Sequence, residues 1–164
     1  MYNQYLKASN PKDGIGRGIL TTVRIPANVP IIEITGEIYT EETMPDPNHP
    51  ALLQIGPNLY IGPSGDIDDL VNHSCNPNCM MHVVGNRAIL YSLYEITPNT
   101  ELTFDYSTTS TDSLEKWSMN CLCGSPNCRK VISGFHLLDV KTQEDLKKRG
   151  MVPMFITNPI FIRR

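Results

Sequence analysis

The sequence predicts a mostly-β domain with few short helices, and two observations carry that expectation. Thirteen prolines and 11 glycines are spread through 164 residues, leaving little room for long regular elements. Between them lie short runs rich in β-branched and aromatic residues, the side chains that suit a pleated, half-buried surface.

The candidate strands are residues 19–23, 30–34, 59–61, 80–84 and 87–91. Gly85-Asn86 separates the last two and is a two-residue hairpin signal. There is also a faint internal echo. Ile25-Pro26-Ala27-Asn28-Val29 and Ile96-Thr97-Pro98-Asn99-Thr100 each set a Pro/Asn pair after an isoleucine. Proline fixes φ and asparagine tolerates the left-handed region, so both read as tight turns. Residues 40–50 hold Pro45, Pro47 and Pro50 and are expected to form a loop. Helix signals are sparse: one turn over residues 66–71, another over 113–117, and a longer helix over 143–149. For the last, Thr142 is the expected N-cap, Lys147, Lys148 and Arg149 fill the last turn, and Gly150 follows.

Composition limits the function classes. With 40% apolar and 19% charged residues, the chain is an ordinary globule able to bury a core without disulfide staples. No apolar run approaches the ~18 residues a membrane-spanning helix needs. Met1-Tyr2-Asn3-Gln4-Tyr5 opens no secretory signal. A net charge of −3 argues against a whole-surface nucleic-acid binder, and neither a sequence-specific nucleic acid nor a membrane is expected as partner. Between Arg24 and Arg87 there is no Lys or Arg, while Glu33, Glu37, Glu41, Glu42, Asp46, Asp66, Asp68 and Asp69 fall there. That stretch is either a solvated acidic face or a field that attracts a basic partner.

Five cysteines are an odd count and a poor disulfide set. Cys121, Cys123 and Cys128 form C-x-C-x4-C, with Gly124-Ser125-Pro126-Asn127 letting the chain fold back. Three thiolates turned to one point suit Zn²⁺, which takes four ligands in a tetrahedron. Such a cluster belongs in a reducing compartment, so an intracellular setting, nucleus or cytoplasm, is expected. Cys79 is expected in the core.

Two further motifs stand close by: Asn72-His73-Ser74-Cys75-Asn76-Pro77-Asn78 and Glu101-Leu102-Thr103-Phe104-Asp105-Tyr106. Together with the cysteine knuckle, in this order, they resemble the SET-domain protein-lysine N-methyltransferases over roughly residues 12–130. The resemblance implies a SET-type β-fold with pseudoknot-like threading, closed by a C-terminal zinc knuckle and a helix. It implies an N-terminal segment at 1–11, a SET domain at 12–112, a post-SET zinc-binding segment at 113–134 and an extension at 135–164. An upstream cysteine cluster found in some members is absent, the insert between Gly36 and Asn72 is short, and after Cys128 the chain continues with a strand-like run, Gly134-Phe135-His136-Leu137-Leu138.

The resemblance also implies roles. S-adenosyl-L-methionine would lie along Gly16, Arg17 and Gly18, against Asn72, His73 and Tyr106, with Leu122 covering it from the tail. Cys75 would complete the zinc site with Cys121, Cys123 and Cys128. Tyr106 would be the catalytic tyrosine, and Phe104, where other members carry Phe or Tyr, would leave room for di- or trimethylation. Val131, Ile132 and Phe135 could wall the lysine channel, as could Tyr60, Tyr91 or Tyr94, though core packing explains each equally well. The substrate would be a lysine in a basic protein or peptide, a histone tail among the options.

The chemistry fits those residue types. A free lysine has a pKa of ~10.4, so roughly one in a few thousand is neutral at pH 7. A site that desolvates the amine and sets a cation beside it favours the neutral form without a strong base. Alignment then supplies much of the rate. The rival reading is a catalytically weak SET-fold module that binds peptide or cofactor. A plain zinc-binding interaction domain would leave the other two motifs unexplained.

Overall fold

The computed structural model describes residues 1–47, 49–111 and 117–158. In chain order its strands are β1 (Leu6–Ala8), β2 (Ile19–Thr21), β3 (Pro30–Ile34), β4 (Ile38–Tyr39), β5 (Leu53–Gly56), β6 (Leu59–Ile61), β7 (Asn72–His73), β8 (Cys79–Val84), β9 (Arg87–Ser92), β10 (Glu101–Phe104), β11 (Ser118–Asn120) and β12 (Val131–Ser133). Two α-helices follow, α1 (Val140–Lys148) and α2 (Met154–Thr157). The mostly-β expectation holds, and the expected strand at 30–34 has the observed bounds.

The strands form three small sheets and one ribbon, in the orders β1-β2-β10-β7, β3-β9-β8, β4-β6-β5 and β11-β12. Alternation sets which face is buried. In β9, Ala88, Leu90 and Ser92 point inward while Arg87 is exposed; in β8, Cys79 and Met81 do the same. Gly85-Asn86 makes the predicted hairpin, with Val84 opposite Arg87 and Gly85 at φ 57°. A left-handed turn residue of this kind matches the twist of the flanking strands.

The faint echo in the sequence has a structural counterpart. Asn28 and Asn99 both adopt positive φ, 59° and 62°. Ile25 and Ile96 face each other and exchange both backbone hydrogen bonds, at 2.9 and 2.8 Å. The two turns therefore meet at the sheet ends, and both isoleucines are buried in the main core with Ile19, Ile31, Leu90 and Leu102.

A second core sits in the C-terminal part. Phe135, Leu138, Leu146, Met151, Phe155 and Ile156 pack together and against Met80, Val83 and Leu93. Two local expectations need correction here. The run 134–138, which reads as strand-like, is a 3-10 turn at Phe135–Leu137, because the β11-β12 ribbon ends at Ser133. Helix α1 starts earlier than predicted: Asp139, not Thr142, is its N-cap and accepts from the Thr142 amide. Gly150, at φ 68°, ends it as expected. The expected turn at 66–71 is a 3-10 turn at Ile67–Leu70 capped by Asp66. The turn expected at 113–117 falls mostly outside the described residues, as does Asn48 in the 40–50 loop. Among the described residues no helix is long and apolar enough to cross a membrane.

Candidate active site and metal centre

Strands β7 and β10 run side by side in parallel, with Thr103 opposite Asn72 and Phe104 opposite His73. This short pairing brings the Asn-His motif against the strand that leads into Tyr106. The buried Asn78 side chain ties the two segments: its amide donates to the Glu101 carbonyl at 2.7 Å and its oxygen accepts from the Thr103 amide at 2.9 Å. Asp105 caps the turn that follows, Tyr106–Thr108, by accepting from the Ser107 amide.

Tyr106 donates its hydroxyl hydrogen to the Val71 carbonyl at 2.7 Å. Its ring packs 4.9 Å from Phe104 and edge-on, 5.3 Å, to His73. Burial, reinforced by the charge of Glu101, pushes the hydroxyl above the usual phenol range. It is therefore a neutral group at physiological pH. Because its hydrogen is committed to Val71, its oxygen lone pairs are what it can offer elsewhere.

His73 joins this strand to the cysteines. Its Nδ1 accepts from the Tyr106 amide at 3.2 Å, so the proton of the neutral ring sits on Nε2, which lies 3.2 Å from Cys75 Sγ. Desolvation brings the ring down to about 4, against the raising effect of Asp105. The imidazole is thus neutral and donates toward the thiol.

The thiols converge on Cys121. Cys75 Sγ is 3.7 Å from Cys121 Sγ. Two sulfurs on a tetrahedral Zn²⁺, each at ~2.3 Å from it, stand ~3.8 Å apart, so this spacing fits a shared metal. His73, Cys75, Cys121 and Cys123 offer ligand atoms all within 4.8 Å of one another. Cys128 Sγ lies 3.7 Å from the Cys121 carbonyl and accepts from the Lys130 amide. Burial works to raise the Cys123 thiol, but hydrogen bonds to it prevail and bring it down to about 6. Burial pushes the Cys121 thiol up, with Cys123, Cys128 and Cys75 all acting on it. Cys79 is in the core, pushed up to about 12 by burial, and stands apart from this group.

The glycine-rich turn lies on the other side of Asn72. Lys12 and Gly16 close it, with Gly14 and Gly16 at φ 73° and 83°. Asn72 Nδ2 donates to the Arg17 carbonyl at 3.0 Å and to Glu101 Oε1 at 2.8 Å. Lys12 closes an ion pair on the other oxygen of Glu101. Gly18 has no room for a side chain: a Cβ would stand 2.2 Å from Glu101 Oε1 and 2.8 Å from Asn72 Nδ2. A Cβ on Gly14 would meet Leu122 Cδ1 at 2.7 Å. The tail therefore already rests on the glycine turn.

These elements surround one cavity of about 580 Å³. Arg17, Asn72 and His73 line it, as do Phe104, Tyr106, Leu122 and Cys123. That volume lies within the usual range for small-molecule sites, ~300–1,000 Å³. Of the further candidates, Tyr60 and Ile132 line it, whereas Phe135 belongs to the second core and Tyr91, Tyr94 and Val131 lie elsewhere. Sequence reasoning missed Ile15, Val71, Trp117 and Met119 in the lining. None carries a polar signature, so only the folded arrangement reveals them.

The acidic stretch divides. Glu33 is engaged by Arg87 at 2.7 and 2.8 Å. Asp68 is buried, accepting from Thr35 and Ser64, and Asp69 accepts from Ser64 and Gly65. Glu37, Glu41 and Glu42 are exposed. Part of the acidity is therefore scaffold, and part remains on the surface.

Comparison with known proteins places this geometry. The SET domain family matches residues 16–107. A histone-lysine N-methyltransferase described as H3 lysine-36 specific, from Cryptococcus neoformans, is 32% identical over 146 residues, 80% of this chain but 17% of that protein. The crystal structure of KRYPTONITE with mCHG DNA and SAH superposes with a TM-score of 0.66 at 27% identity, over 77% of this chain and 28% of that one. KRYPTONITE with mCHH DNA, an H3(1-15) peptide and SAH gives 0.63 at 25% identity, over 77% of this chain and 29% of that one. The chain spans less than a third of each of these proteins.

Proposed function

We propose that this chain, which belongs to the SET-domain family, is a protein-lysine N-methyltransferase that uses S-adenosyl-L-methionine and carries one structural Zn²⁺. The observation that carries this reading is a cavity of about 580 Å³ that holds the Asn-His motif at one part of its wall and Phe104 and Tyr106 at another. Its relatives support it: one is named for histone-lysine methylation, and KRYPTONITE binds SAH and an H3 peptide. A basic, lysine-bearing protein segment such as a histone tail is the proposed substrate. The exposed Glu37, Glu41 and Glu42 would favour such a partner.

The residues fit the cofactor. Asn72, held between the Arg17 carbonyl and Glu101, fixes the glycine turn beside the cavity. Arg17, Asn72 and His73 would bind the cofactor there, with Leu122 covering it; Gly16 and Gly18, expected beside the cofactor, are not among the lining residues, and Gly18 instead packs against Glu101 and Asn72. When bound, S-adenosylmethionine supplies an electrophilic methyl group whose bond to sulfur breaks, its electrons leaving on sulfur, as the amine nitrogen bonds to carbon.

The protein's own task is alignment and desolvation. Phe104 and Tyr60, both buried, would give the channel apolar aromatic walls that favour the neutral amine. The Tyr106 hydroxyl does not act as a base, since burial keeps it protonated. Its lone pairs would accept from the amine N–H and hold the nitrogen in line. The amine sheds its proton to water before attack, and the methylated product sheds one before any second round. Phe104 would leave room for that round.

For the metal, Cys75, Cys121, Cys123 and Cys128 would be the ligands, with His73 donating to Cys75 rather than binding zinc. Orientation of a ligand by a neighbouring donor is common in such sites. The reading is tested by incubating zinc-loaded protein with labelled S-adenosylmethionine and mixed histones. Labelled lysine, lost in Tyr106→Phe, supports it. Cofactor binding with no transfer to histones or to a whole-cell extract would favour the weak binding module instead.

A further inference from the structure

The C-terminal knuckle touches the turn that starts at Tyr106 through a residue outside the metal-ligand set. Arg129 follows Cys128 directly in the chain. Its guanidinium forms a two-pronged pair with Asp105, Nη1 to Oδ2 and Nη2 to Oδ1, both at 2.7 Å. Nη2 also donates to Ser107 Oγ at 3.2 Å, and the Arg129 amide donates to Cys75 Sγ at 3.4 Å. One residue of the tail therefore holds both residues flanking Tyr106 and a proposed zinc ligand.

Asp105 has little choice of partner. It is 1% exposed. Its other close basic neighbour, His73 Nδ1, is 3.6 Å away and already accepts from the Tyr106 amide. Among the described residues Arg129 is the cation paired with it. A buried carboxylate needs its partner in good geometry, and losing one side of such a pair leaves an uncompensated charge. The same carboxylate caps the turn that starts at Tyr106, through the Ser107 amide at 3.1 Å. Any shift of Asp105 is thus passed to Tyr106. Just past Arg129 the chain reverses: Lys130 sits at φ 67°, and its carbonyl accepts from the Cys121 amide at 2.8 Å. A non-glycine residue in that region is held there by its surroundings. The reversal sends the chain into β12, which brings Ile132 to the cavity wall.

We propose that Arg129 is a positioning residue, a latch that locks the tail onto the Tyr106 turn so that closing the cavity requires the Asp105–Arg129 pair as well as the metal. This rests on the methyltransferase reading for its effect on turnover, but the latch itself can be read without activity. A lysine in its place keeps the charge and loses the fork that spans both Asp105 oxygens and Ser107.

The experiment uses the zinc-loaded full chain and Arg129→Lys, with Asp105→Asn as a second variant should the first not fold. Zinc content is measured first. The single tryptophan, Trp117, lines the cavity on the tail side, so its fluorescence reports tail closure. The latch predicts, at full zinc occupancy, a red-shifted and more readily quenched Trp117 emission, S-adenosylmethionine affinity weakened at least fivefold, and kcat reduced at least tenfold with the peptide KM within threefold. Wild-type Trp117 emission, cofactor affinity and kcat in a zinc-loaded variant would overturn it, as would full recovery of the variant by excess zinc. If the wild-type protein methylates nothing, the activity reading fails separately, and the Trp117 and zinc measurements still decide the latch.

Discussion

Replacing Tyr106 by phenylalanine removes one oxygen from the cavity and nothing else. That oxygen donates to the Val71 carbonyl at 2.7 Å, and Val71 is buried. Loss of one such bond costs about 1–2 kcal/mol, a fall of roughly 2–8 °C in Tm for a chain of this size. The fold, with its two cores and the Asn78 tie, should survive that. Turnover should fall far more. A preorganised hydrogen-bonding group aimed at the reacting atoms is worth about 10²–10³ in rate, or ~2.7–4 kcal/mol. Cofactor affinity should stay within several-fold, because Arg17, Asn72 and His73 are untouched. The pH profile adds a check on sign. The hydroxyl's pKa is raised in the fold by burial, so the group stays protonated below its ordinary value of ~10 and through it. Any stability it lends in the neutral form is complete below that value and is lost only as pH rises further. The wild-type rate should therefore climb between pH 7 and 9 as the substrate amine deprotonates, with no decline from Tyr106. Transfer of labelled methyl groups, calorimetry with S-adenosylmethionine and a melting curve give all three readouts. Turnover within threefold of wild type in folded Tyr106→Phe would refute the catalytic assignment.

Phe104→Tyr should shift products toward monomethyl-lysine, since a hydroxyl in that buried wall takes up space beside the amine; mass spectrometry of the product peptide would read an unchanged distribution as failure. Gly18→Ala should weaken cofactor binding several-fold, because its Cβ would stand 2.2 Å from Glu101 Oε1 and 2.8 Å from Asn72 Nδ2 and push those side-chain ends aside; calorimetry with wild-type affinity would contradict this. Cys75→Ala should lose its zinc, while Cys79→Ala should keep one zinc per chain and only lose some stability by opening a void in the main core; metal analysis beside a melting curve separates the two.

Much of this architecture is legible in the chain because its signals are local. The Gly85-Asn86 hairpin and the strand at 30–34 follow from turn chemistry and β-rich composition. Strands of two or three residues, such as Ile38–Tyr39 and Asn72–His73, are too short to show any period, and only their partners define them. The α1 cap differs from the sequence expectation for a local reason: Thr142 has N-cap chemistry, but Asp139 accepts its amide and so starts the helix earlier. The site shows the same division. Its motifs name Asn72, His73, Tyr106 and the cysteines. The geometry adds what no motif carries: His73 turned between the Tyr106 amide and Cys75, and Arg129 closed on Asp105. A lone arginine after a cysteine gives no signal until the carboxylate it faces is known to be buried.

The cavity between the glycine turn, the Asn-His strand and the tail is the proposed cofactor site, and calorimetric titration of S-adenosylmethionine into zinc-loaded protein probes it. Binding is expected at one site per chain, weakened in Gly18→Ala and kept within several-fold in Tyr106→Phe. Absence of binding by folded, zinc-loaded protein would contradict it.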